Sequence, residues 1–277
     1  MSNTIRSQED GWGAVLRRGM VGTRWCLLVP VVVLGGYLVL VLLCSTWVTS
    51  PVLAGTIAGV VVMIIFGSAR LLRSTWLSFK HEVLPATATP LFWPWTVFTA
   101  VLMFLAGQAA AAWIYAHLGS TGFDQHVQTQ QSSGFVLSLL VSLLVAPVVE
   151  ETLFRGILYP ILRKKVGVVV AAMFSSLLFA AMHGNAVQAV AVIPLGLLLA
   201  LVAERTHRIW PCAVLHLAYN FAAMMFPQPA IQTMSTPPCI GLFSAAWAAL
   251  FVLLTRQVLF AEFADLPGEP PAGVEAE

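Results

Sequence analysis

Three short clusters in the second half of the chain hold the side chains that could do chemistry. The first reads Pro147-Val148-Val149-Glu150-Glu151-Thr152-Leu153-Phe154-Arg155. Glu151 and Arg155 stand at i and i+4, so on a helix they share a face and can pair. Glu150 is turned about 100° away from Glu151 and can face a different partner. Two adjacent carboxylates with one Arg read as a structural pair plus a free acid or base; the alternative is a charge network that only pins one helix to its neighbours. The second cluster, Phe179-Ala180-Ala181-Met182-His183, puts an aromatic ring and an imidazole on one face, where a satisfied core histidine is the plainer reading. In the third, His216-Leu217-Ala218-Tyr219-Asn220, an imidazole and a carboxamide share a face of a mostly apolar helix. A helix–helix hydrogen-bond clasp would also account for that pair.

Taken together the clusters say more than each does alone. A carboxylate, two imidazoles and a carboxamide on three apolar helices would each need a separate buried partner. One shared, watered cavity serves them all. The chemistry such a cavity permits is that of a free acid or base beside polar donors.

The elements that must position these groups are membrane helices. Of 277 residues, 59% are hydrophobic and only 9% charged, with a mean hydropathy of +0.87; soluble domains carry about 25% charged residues. Lipid is the solvent that accommodates such a surface. Runs of about 20 apolar residues predict eight spans, at 25–47, 51–72, 92–116, 134–161, 166–183, 187–204, 210–226 and 239–258. Residues 1–24 read as a cytoplasmic N-terminal segment, with no sign of a cleaved signal peptide, 25–260 as one membrane domain and 261–277 as a disordered, Pro/Gly-rich acidic tail. Gly184-Asn185-Ala186 reads as a tight turn. Gly119 to Ser133 reads as a polar linker, and Pro227 to Pro238, with four prolines, as a loop.

All fourteen basic residues fall before span one, around loop 2–3, in or beside loop 4–5, in loop 6–7, or at the end of span eight. The alternate loops contain none, which fits cytoplasmic N- and C-termini. Of the twelve acidic residues, only Glu150 and Glu151 lie well inside a predicted span, and His81, His117, His126 and His207 fall at span ends or in loops. At 1.5 Å per residue, Glu150 is about 20 Å from Arg163, Asn220 about 18 Å from Arg208, and His183 about 27 Å from Lys165, the outlier in depth. No pair among Cys26, Cys44, Cys212 and Cys239 has metal-ligand or redox spacing. They read as isolated small apolar residues, with a Cys44–Cys239 disulfide on the outer face as the lesser alternative. No basic stripe of the kind nucleic acid demands is present.

The ordered trio resembles the CPBP family of CAAX proteases and bacteriocin-processing enzymes, which includes the type II CAAX prenyl endopeptidases. The family pattern E-E-x-x-x-R, F-x-x-x-H and H-x-x-x-N or H-x-x-x-D stands here as Glu150-Glu151-x-x-x-Arg155, Phe179-x-x-x-His183 and His216-x-x-x-Asn220, within about 134–226. The resemblance implies an all-α polytopic intramembrane endopeptidase acting on a membrane-associated protein or peptide, in the plasma membrane of a prokaryote. It implies Glu150 as the base, His183 as a holder of the water, and His216 and Asn220 as oxyanion donors, with Glu151, Arg155 and Phe179 in support. Glu150, His183 and His216 are also the types of residue that ligate zinc. The sequence lacks the H-E-x-x-H helix, so metal-independent water activation is the expectation and zinc the alternative. A non-catalytic scaffold or immunity-type peptide-binding protein, and a proton or small-molecule transporter, are competing classes; no repeat of broken helices supports the last.

Overall fold

The computed structural model describes residues 28–71 and 91–264. All regular structure among these residues is helical. In chain order the helices are α1 (Leu28–Ser45), α2 (Pro51–Leu71), α3 (Phe92–Leu118), α4 (Thr121–Ser132), α5 (Phe135–Arg163), α6 (Val168–Ala181), α7 (Ala186–Thr206), α8 (Trp210–Met225), α9 (Gln228–Met234) and α10 (Pro237–Ala264). The chain is an all-α polytopic membrane protein. Among the described residues six helices, α1, α2, α3, α5, α7 and α10, are long and apolar enough to cross a bilayer.

The structure corrects one sequence expectation and refines others. The predicted spans at 166–183 and 210–226 are the helices α6 and α8, of 14 and 16 residues. They are about 21 and 24 Å long, short of the roughly 30 Å hydrocarbon core. The polar segment 119–133 is not a loop but the helix α4. Ser120 caps it by accepting from the Phe123 amide at 3.2 Å, which satisfies one of the orphan N–H groups at a helix start. Cys44 and Cys239 are both free thiols, so the outer-face disulfide is not formed. In addition, α9 forms a short helix within the proline-rich 227–238 segment, and α10 continues to Ala264, into the expected tail. The expected N-terminal segment 1–24 and the remainder of the tail lie outside the described residues.

The core is centred on α7, which packs against α3, α6 and α8 and holds the longest run of buried residues, Leu198 to Arg205. Small residues let the backbones meet. A Cβ on Gly196 would lie 2.9 Å from Ser176 Cβ of α6, and one on Gly107 of α3 would lie 2.9 Å from the Ala191 carbonyl oxygen. Close approach of this kind is the main source of helix association in lipid, where apolar surface alone gives no driving force. The far end of α7 is pinned to α5 by polar bonds. Tyr159 donates to Glu204 at 2.8 Å and Arg163 Nε donates to the same carboxylate at 2.9 Å.

Helix α5 carries the Glu pair and is not a regular α-helix. π-helical turns occupy Val141–Val145 and Thr152–Leu158, on either side of Pro147, Glu150 and Glu151. Proline cannot supply the backbone N–H for an i−4 bond, and a π-turn is one way to accommodate the break. Each π-turn widens the helix locally and shifts the side chains that follow it, so the helical wheel drawn from the sequence does not hold strictly here.

Candidate active site

The buried centre begins with the i, i+4 pair. Arg155 Nη1 lies 3.1 Å from Glu151 Oε1, with both side chains at 0% exposure. The guanidinium also donates through Nη2 to the Gly196 carbonyl at 2.8 Å and lies 4.9 Å from the centre of the Phe179 ring. Arg155 is thus fixed by α5, α6 and α7 together. The close seating of Gly196 on Ser176 keeps its carbonyl within reach.

His216 reaches this centre from α8. Its Nδ1 is 2.9 Å from Glu151 Oε1, and its Nε2 is 3.7 Å from Glu150 Oε2. The imidazole is 3% exposed and Glu150 is 31% exposed. Glu151, acceptor-only when ionised, places the proton of neutral His216 on Nδ1 and turns Nε2 toward Glu150. The two adjacent carboxylates therefore have different surroundings, one sealed beside an Arg and one open to a cavity. Phe179 sets the spacing of the imidazoles. Its ring stands edge-on to His216 at 5.5 Å and to His183 at 5.1 Å.

The predicted site residues are not all in mutual contact. His183 lies beyond the end of α6, in the turn to α7, where its Nδ1 is 3.0 Å from the Phe179 carbonyl. Because α6 is short, His183 is about 22 Å from Val168, which removes most of its apparent excess depth. Asn220 shares a helix face with His216, but its amide donates to the Ser142 carbonyl at 2.9 Å, inside the first π-turn of α5. All four of Glu150, His183, His216 and Asn220 line a single cavity of about 1200 Å³. Among the described residues no group of three or more His, Cys, Asp or Glu is placed to hold a metal ion.

Several cavity residues escaped the sequence reading. His126, taken there as a loop histidine, lines the cavity from α4. Burial, and secondarily the nearby His183, lowers its pKa from the ordinary value. Helix α4 lines one wall of the cavity. Tyr115 of α3 donates to Asp124 at 2.6 Å, a Cβ on Gly122 would lie 3.1 Å from Asn185 Cβ, and Gln130 of α4 meets Ser142 of α5. Deeper in, Gln108 donates to the Tyr219 hydroxyl, which donates to the Ala191 carbonyl. The signal for α4 was present in the sequence: Ser120 is a good N-cap, and Asp124 sits in the first turn.

Residues 132–222 match the family model described as type II CAAX prenyl endopeptidase Rce1-like. The match spans all three clusters. That stretch is similar to the type II CAAX prenyl endopeptidases. Over 94 residues the chain is 32% identical to "Putative membrane peptidase YdiL" of Bacillus subtilis, an alignment covering 34% of this chain and 38% of that relative. No solved structure matches the chain. The matched segment runs from the end of α4 to within α8 and includes the whole Glu151–Arg155–His216 centre. Helices α1, α2, α3, α9 and α10, and all of α4 but its last residue, lie outside it, although all of these except α10 also contribute to the cavity wall.

Proposed function

We propose that this protein is an intramembrane endopeptidase that hydrolyses a peptide bond of a membrane-associated protein or peptide by metal-independent activation of water. The observation that carries the reading is the asymmetry of the Glu pair: Glu150 is open to a large cavity and faced by His216 Nε2, while Glu151 is sealed against Arg155. The family match and the similarity to the Bacillus protein support a peptidase, and they favour a prokaryotic plasma membrane as its location. The cavity exceeds the roughly 300–1,000 Å³ of small-ligand pockets, which favours a peptide over a small transported solute.

In this mechanism Glu150 takes a proton from a water held by His183, and the water oxygen bonds to the scissile carbonyl carbon. The carbonyl oxygen takes the negative charge and is held by His216 Nε2–H and by the second N–H of Asn220. Donation from Nε2 requires His216 to carry both protons. Glu150 and Glu151 as carboxylates, with Arg155 and a doubly protonated His216, sum to zero charge, which a low-dielectric site tolerates far better than a net charge. Collapse of the intermediate breaks the C–N bond, and Glu150 returns its proton to the leaving amine. Glu151 and Arg155 position His216 and do not touch substrate.

The test uses the full chain in lipid nanodiscs. Glu150→Gln is expected to abolish turnover with folded protein retained. Asn220→Ala is expected to lower kcat by about 10²–10³-fold, the cost of one oxyanion donor, with little change in KM. Affinity for the partner, measured on the Glu150→Gln background, is expected to be insensitive to Asn220→Ala. A scaffold gives the reverse, lost affinity and no cleavage in the parent. Chelation is expected to leave turnover unchanged. Stoichiometric zinc that leaves and returns together with activity would overturn the metal-free mechanism.

A further inference from the structure

Between Ala100 and Ala112 of α3, Gln108 carries the one hydrogen-bonding side chain. It lies about 24 Å along the helix from Phe92, deep in an apolar element where an unbonded amide is costly. It is also outside the matched segment, residues 132–222.

The packing around it is specific. A Cβ on Gly107 would lie 2.9 Å from the Ala191 carbonyl oxygen, so α3 meets the backbone of α7 at this level. The next residue reaches α8: Gln108 Nε2 is 3.0 Å from the Tyr219 hydroxyl, and that hydroxyl is 2.9 Å from the Ala191 carbonyl oxygen. Phe104, one turn earlier on α3, stands edge-on to the Tyr219 ring at 5.5 Å.

These partners fix which way the amide points. A backbone carbonyl only accepts, so Ala191 takes the single hydroxyl hydrogen of Tyr219. The hydroxyl is left to accept from Gln108, which must present Nε2 to it and turn Oε1 away. No donor among the described residues meets Gln108 Oε1, and the atom is not sealed, since the half-buried Gln108 lines the cavity. Gln188, in the same cavity, is the contrast: its Oε1 accepts from Asn185 Nδ2. Gln108 Oε1 is therefore an oriented, open acceptor in the space that Glu150 faces. Its anchor, Tyr219, sits on α8 between His216 and Asn220, so the helix that carries the proposed oxyanion donors also fixes the acceptor.

We infer that, within the peptidase reading on which this rests, Gln108 is a substrate-holding residue whose Oε1 accepts from one backbone N–H of the peptide, at a fixed register from the scissile bond. Every residue but proline supplies that donor. The contact therefore sets register without reading a side chain, and it disfavours proline at one position of the substrate.

Ester substitution tests this, because replacing a backbone N–H by oxygen removes the donor and nearly keeps the shape. Quenched fluorogenic decapeptides of mixed sequence, with free carboxyl termini, are offered to the parent protein in lipid nanodiscs. A peptide that is cleaved is resynthesised with a single ester at each position in turn, the scissile bond excepted. One ester is expected to lower kcat/KM about tenfold, the loss of one oriented hydrogen bond. In Gln108→Met, of similar length but without the amide, the all-amide peptide is expected to lose about tenfold, and the ester at that position to cost nothing more. Tyr219→Phe keeps the ring and Gln108 but frees the amide to turn, and is expected to shrink the same ester penalty; it serves where Gln108→Met does not fold. Cleavage with no ester-sensitive position, or with a penalty unchanged in the variants, would overturn the inference and leave the peptidase reading standing. Absence of cleavage across all the peptides would overturn the peptidase reading and the inference with it.

Discussion

At the residue scale, the decisive contrast is between two neighbouring carboxylates. Glu151 accepts from Arg155 and from His216 with no exposure, while Glu150 remains open to the cavity. Glu151→Gln or Arg155→Ala leaves a buried charge without its partner, and loss of one member of such a pair costs about 3–5 kcal/mol. Both variants are therefore expected to unfold at markedly lower temperature in detergent, whereas Glu150→Gln melts like the parent; scanning fluorimetry of the three side by side checks this. If Glu151→Gln melted normally while losing turnover, Glu151 would belong to the chemistry and not to the scaffold. The Glu151–Arg155 pairing was legible because it is local, one helical turn of spacing. The Glu151–His216 bond was not, because it joins residues 65 positions apart and no periodicity encodes it. The turning of Asn220 toward the Ser142 carbonyl was likewise illegible, since that carbonyl is available only because α5 is π-helical there.

At the element scale, α4 changes the picture most. A Gln- and Ser-rich stretch without apolar periodicity reads as a linker, yet it folds as a helix that lines the cavity, seated on α3, α5 and the His183–Asn185 turn. His126 reports that seating. Burial and the neighbouring His183 disfavour its charged form, so α4 binds a proton more readily when undocked. The sign follows: docking is favoured above the ordinary imidazole value of 6.5 and weakens as the pH falls below it. Ring-proton NMR of His126 is expected to give a pKa below 6.5 that rises part of the way toward it in His183→Asn. A value at or above 6.5 in the parent would mean that α4 does not dock at the cavity. The long apolar helices and their order were readable from hydropathy. So were the bounds of α8, expected at 210–226 and found at Trp210–Met225, and the turn at Gly184, whose φ is +70°.

At the scale of the whole molecule, the alternation of basic loops predicts the sidedness of the site. Reporter fusions after Trp47, His126 and Pro229 are expected to report outside, and fusions after Lys80, Lys165 and Arg208 inside. With α6 and α8 each shorter than the hydrocarbon core, the fusions after Lys165 and Arg208 are the informative ones. An outside signal at either would mean that the short helices do not cross and that the cavity opens to the other face. The wiring of the central charges also bears on how the chain is made. Arg155 finds its carbonyl acceptor 41 residues later, and Glu151 finds its imidazole 65 residues later. When α5 first emerges during synthesis, neither α7 nor α8 exists, and its ionisable groups each cost about 2.5–3.5 kcal/mol to place in lipid. Biogenesis therefore has an enforced sequence: α5 waits at a hydrated protein interface, in the insertion machinery or against α2, until the hairpin of α6 and α7 and then α8 arrive to close the centre around it.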